Sequence, residues 1–143
     1  MDFTLITGLK TGDLYIPNIH RSKKSLREKY FHEYLILKKH LQEVFNRIVD
    51  SNDHEDVMKL ALILCVEWFV RGTDMNIICC KEFIDLVDSL EDFNIYPWGS
   101  LAFQMMTEGI ESAFMASQEP HYNVTGCIFP LQIWAVERVP TLQ

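Results

Sequence analysis

Residues 55 to 71, EDVMKLALILCVEWFVR, constrain the fold more than any other stretch. At helical spacing Val57, Leu60, Ala61, Leu64, Cys65 and Trp68 fall on one face, while Met58, Leu62, Ile63, Val66, Phe69 and Val70 fill most of the other. Only Lys59, Glu67 and Arg71 remain for a polar stripe. A helix apolar nearly all round cannot lie on a surface, so the pattern predicts a central helix, ending near Gly72, with others packed about it.

The flanking segments supply those neighbours. LKKHLQEVFNRIV, residues 37 to 49, sets Leu37, Leu41, Val44, Phe45, Ile48 and Val49 on one helical stripe, with Glu43 and Arg47 paired at i, i+4 on the other side. Asp53 is placed to cap the central helix, with Glu55 and Asp56 in its first turn. KEFIDLVDSLEDF, residues 81 to 93, turns Phe83, Ile84, Val87 and Leu90 inward and Glu82, Asp85, Asp88 and Asp92 outward. Trp98, Leu101, Ala102, Met105, Met106, Ile110, Ala113 and Phe114 continue helical spacing to about residue 116. Pro130 suits the first turn of a last short helix carrying Leu131, Ile133, Trp134 and Val136. FTLITGL near the start fits helix and strand about equally, as does YFHEYLIL. The expected fold is mainly α: a single domain over residues 1–143, an irregular bundle of about five to six helices, with room for a small β element in the N-terminal third.

Length and composition exclude several classes. A chain of 143 residues, 48% hydrophobic, with nine Phe, five Tyr and three Trp, can bury a core without a disulfide or metal staple. The four cysteines, at 65, 79, 80 and 127, lack CxxC spacing and read as reduced thiols of an intracellular protein, nuclear or cytoplasmic. Glu67 interrupts the longest apolar run, so no membrane span is expected. The formal charge of -7 is divided unevenly: nine of the 13 Lys+Arg but six of the 20 Asp+Glu lie in residues 1 to 50, making that part +3 and the rest -10. Such a dipole can steer a partner, but the acidic remainder opposes a broad grip on a phosphate backbone.

No self-sufficient catalytic signature emerges. Four Cys and five His allow a thiol-protease triad only in the sense that the residue types exist; Cys65 lies on a face expected to be buried, where a thiol is inert. His20, His32, His40, His54 and His121 are scattered, without the paired spacing of zinc ligands, and no phosphate loop is present. These residues predict no enzymatic activity, no cofactor and no metal. One basic segment, HRSKKSLREK, offers Arg21, Lys23, Lys24, Arg27 and Lys29 as candidate binding residues, weighed against a solvated linker.

DFNIYPWGS, residues 92 to 100, asks whether an aromatic corner is a ligand site or a packing joint. Pro97 fixes φ, Gly99 admits close approach, and Trp98 is in register with Leu101, Ala102 and Met105. The joint is preferred, making Pro97, Trp98 and Gly99 structural along with Leu64, Trp68 and Trp134. Tyr96 stays as a candidate binding residue.

LITGLKTG at 5 to 12, LALILCVEWFV at 60 to 70, LVDSLEDFNIYPWGSLAF at 86 to 103 and FPLQIWAVERVP at 129 to 140 together resemble the plant domain of unknown function numbered nineteen eighty-five. Tyr-Pro-Trp-Gly is the most specific piece, and FVRGTDMNIICC, residues 69 to 80, departs from the family pattern. The resemblance implies an intracellular plant domain, often transposon-derived, that commonly precedes a SUMO-protease-like cysteine peptidase in a longer protein. The peptidase motifs are absent here. The resulting expectation is a non-enzymatic protein-interaction or scaffold domain, in an immune setting a target or decoy for a pathogen protein. The alternative is an accessory nucleic-acid contact through residues 21 to 29.

Overall fold

The computed structural model describes residues 3–17, 25–32, 35–72, 74–115 and 126–138. The chain forms two compact units: one comprises Met1–Leu14, Phe69–Gly72 and Pro97–Gln143, the other Tyr15–Trp68 and Thr73–Tyr96. One crossing falls within a segment that reads as a continuous helix, between Trp68 and Phe69, and another at the corner between Tyr96 and Pro97.

The second unit holds α2 (Leu26–Tyr30), α3 (Lys38–Ile48), α4 (His54–Cys65), α5 (Lys81–Leu86) and α6 (Leu90–Ile95). Its core includes Leu41, Val44 and Ile48 of α3, Leu60, Ile63 and Leu64 of α4, and Ile84 and Leu86 of α5. Each such side chain contributes about 1.5–3 kcal/mol by leaving water. Asp53 caps α4 by accepting from the Asp56 N–H. The first amides of α3, which no helical carbonyl can reach, are met from residues 75 to 77: Lys38 N–H donates to the Ile77 carbonyl and Lys39 N–H to that of Met75.

The buried face of α4 is turned from the expected one. Asp56, Lys59, Leu60, Ile63 and Leu64 are buried, whereas Cys65 is exposed and Met58 largely so. The stripe has rotated by roughly one residue, ~100° about the helix axis. Its charged members are satisfied where they lie: Asp56 accepts from Tyr30 Oη at 2.8 Å, and Lys59 pairs with Glu55 at 2.7 Å and Asp88 at 3.6 Å. A polar stripe counted from residue type alone misses partners supplied from elsewhere in the fold, here Tyr30 and Asp88.

After Cys65 the chain widens into a π turn, Val66–Val70. The extra residue per turn shifts the register. Trp68, expected in the core, is 47% exposed, Phe69 is also exposed, and Glu67 is buried to 1%. Trp68 retains a packing role: its ring covers Nζ of Lys38, 3.9 Å from the ring centroid, and that ammonium donates to the Glu67 carbonyl at 3.3 Å. Lys38 is 1% exposed.

The helix expected over 81 to 93 is two. Ser89, with extended backbone, accepts from the Asp92 N–H and starts α6 afresh. Asp88 instead accepts from the Leu26 N–H, and Asp85, expected outward, is buried against Arg27.

The first unit holds α1 (Phe3–Thr7), α7 (Trp98–Met115) and α8 (Phe129–Arg138). FTLITGL is thus helical up to Gly8, whose φ of 67° and N–H bond to the Thr4 carbonyl end α1. No strand occurs among the described residues; the β element allowed for in the N-terminal third is reduced to one antiparallel bridge, Leu37 to Ile78. Phe3 packs edge-on against Phe103. Gly72 packs on Gly126, and Gly126 on α7: Gly126 N–H donates to the Arg71 carbonyl, and a Cβ on Gly126 would lie 2.7 Å from the Met105 backbone.

Candidate functional site: an aromatic hollow and a structural joint

The corner at 92 to 100 divides between the two units. Tyr96 closes α6 with an extended backbone, as the residue before a proline favours, and its N–H donates to the Asp92 carbonyl. Pro97 lies just before α7, its carbonyl accepting from Leu101 N–H. Beyond it, the first turn of α7 rests on the loop after α1. Gly99 N–H donates to the Lys10 carbonyl at 2.7 Å, and Gly12 N–H donates to Ser100 Oγ at 3.0 Å. A Cβ on Gly99 would lie 2.7 Å from the Lys10 oxygen, so only glycine allows this approach. Pro97, Trp98 and Gly99 are buried.

Tyr96 is buried too, but its side chain belongs to a hollow of about 270 Å³ within the second unit. Tyr15, Phe83 and Tyr96 contribute rings, Ile16 and Pro17 apolar surface, and Cys80 and Glu82 the polar groups. Tyr96 Oη donates to the Tyr15 carbonyl at 3.3 Å, and the two rings lie 5.2 Å apart at 56°. Phe83 meets Tyr96 at 5.4 Å and 67°. Cys80 Sγ donates to Glu82 Oε2 at 3.0 Å. Burial, then this carboxylate, pushes the Cys80 thiol up to about 11, and burial raises the Tyr96 phenol above its ordinary value. Both stay protonated at neutral pH, so the hollow carries a donor thiol rather than a nucleophilic thiolate.

The basic candidates do not form one surface among the described residues. Arg21, Lys23 and Lys24 lie outside them. Arg27 is buried with Nε 3.0 Å from Asp85 Oδ1, while its Nη2 makes no hydrogen bond. Lys29 bridges Asp53 and Asp56, whose carboxylates raise its pKa; the Lys29 bond in turn holds the Asp53 carboxyl below its usual value. Of the remaining structural candidates, Leu64 is buried and Trp134 is 36% exposed on α8. No group of three metal-ligating side chains occurs among the described residues, and no described helix is long and apolar enough to cross a membrane.

Sequence reading singled out Tyr96 but missed Tyr15, Phe83, Cys80 and Glu82. Phe83 and Glu82 carry no local signal beyond helix periodicity, and Tyr15 lies 81 residues from Tyr96.

Residues 1–109 match the family described as Domain of unknown function (DUF1985). The match takes in TGLKTG, the apolar helix and YPWG, and stops before FPLQIWAVERVP. No curated protein and no solved structure matches the chain.

Proposed function

The chain belongs to the DUF1985 family, and from that premise we propose that it is a non-enzymatic protein-interaction or scaffold domain of an intracellular plant protein. The observation that carries this reading is the outer face of α8. Phe129, Ile133 and Val136 follow at i, i+4, i+7, and all three are exposed, with Trp134 beside them. Exposed apolar side chains at helical spacing suit a surface that another protein binds. The neutralisation of Arg27 and Lys29 by carboxylates favours a protein over a nucleic acid, because neither cation is left to displace counterions from phosphate. The setting that fits is a nuclear or cytoplasmic, transposon-related protein in which the domain positions a SUMO-protease-like peptidase, or serves as a target or decoy for a pathogen protein.

The test is retention from plant nuclear and cytoplasmic extracts on immobilised wild-type domain and on Ile133→Asp, with thermal melts confirming that the variant folds. The reading expects one or more proteins held by the wild type and lost from the variant. Recovery of nucleic acid alone would overturn it.

A further inference from the structure

The hollow in the second unit has a chemistry that the α8 face does not use. Its rings are steeply inclined to one another, at 56° and 67°, so they stand as walls rather than as a flat stack. Among the described residues that line it, Glu82 is the one with a formal charge. At about 270 Å³ the space lies just under the range of sites that enclose a whole drug-sized ligand, and suits a single head group. Aromatic walls attract a cation through the ring quadrupole, and the attraction grows when the cation carries methyl groups that shed water easily. We propose that the hollow walled by Tyr15, Phe83 and Tyr96, with the Glu82 carboxylate at its side, binds an N-methylated ammonium group, presented as a trimethyllysine side chain of a peptide.

The wall is built before any ligand arrives. Tyr96 is buried and tied by its hydroxyl to the Tyr15 backbone, and the Cys80 thiol holds one Glu82 oxygen. Tyr15 is 46% exposed and forms the accessible side, so its ring can be removed without opening the core. Binding here is independent of the α8 face, and either site can fail alone.

The experiment is calorimetric titration of the intact chain with one lysine peptide in unmodified, trimethylated and neutral tert-butyl isostere forms, and with tetramethylammonium chloride. Trimethyllysine is expected to bind at least about tenfold more tightly than either the unmodified or the neutral peptide. Tyr15→Ala should weaken it by about tenfold and Glu82→Gln by several-fold, with melts unchanged. Tetramethylammonium should bind weakly at the same site and compete with the peptide. Equal binding of the neutral isostere would overturn the cation reading. Indifference to Tyr15→Ala would overturn the site, and tight binding of tetramethylammonium with no gain from the peptide would overturn the peptide assignment.

Discussion

The Gly99 amide donates to the Lys10 carbonyl at 2.7 Å, joining TGLKTG to PWGS across 89 residues of sequence separation. An amide of the first helical turn has no carbonyl of its own helix to meet, and here the loop supplies it. Two motifs that read as separate signatures are one local structure.

Gly99→Ala should therefore destabilise the chain by about 1–3 kcal/mol, since the added carbon meets backbone that cannot rotate away. Gly12→Ala is the control: its Cβ would meet Pro97 Cβ at 3.7 Å, an ordinary contact, and should change urea stability by less than about 0.5 kcal/mol.

Arg27→Ala should cost about 3–5 kcal/mol, because it takes the guanidinium from the Asp85 carboxylate in a buried setting. Replacing both partners by apolar residues, Arg27→Met with Asp85→Leu, should cost much less. A double replacement as damaging as the single one would show that the pair's net attraction, rather than the charge left behind, is what matters.

The pH dependence has a defined sign. Asp53 is held below its ordinary 3.8 by the Lys29 hydrogen bond, so its contribution is full above that value and lost as pH falls through the lowered pKa. Thermal melts should show an acid limb below about pH 4 that flattens in Lys29→Met. An unchanged limb would assign acid unfolding to other carboxylates.

Alkylation should distinguish the cysteines. Cys65 is exposed, whereas Cys80 is partly covered and its thiol is pushed up to about 11. Iodoacetamide at pH 8 should label Cys65 well before Cys80, as read by peptide mass mapping. Rapid labelling of Cys80 would mean that its bond to Glu82 does not persist in solution.

Helix positions were legible because their apolar periodicity is strong, and Pro97 marked the start of α7 because proline suits the beginning of a helix. Helix orientation was not: Lys38 and Lys59 look like surface residues until Trp68, Glu55 and Asp88 are placed around them. The break before α6 did leave a mark, since Ser89 with Asp92 three residues on is a capping pattern within an otherwise helical run. The π turn left none, as VEWFV reads as ordinary helix. The aromatic hollow depends on Tyr15 meeting Tyr96, a long-range contact that no local pattern encodes.

Hydrogen–deuterium exchange at the Gly99 amide tests the joint most directly. Amides at a helix start normally exchange freely, so protection there requires an acceptor from outside the helix. The account predicts that Gly99 N–H is protected to a degree comparable with Ala102 inside α7, and that Gly12 N–H is slowed by Ser100. Exchange of Gly99 at the rate of an open loop would contradict the claim that PWGS and TGLKTG form one local structure.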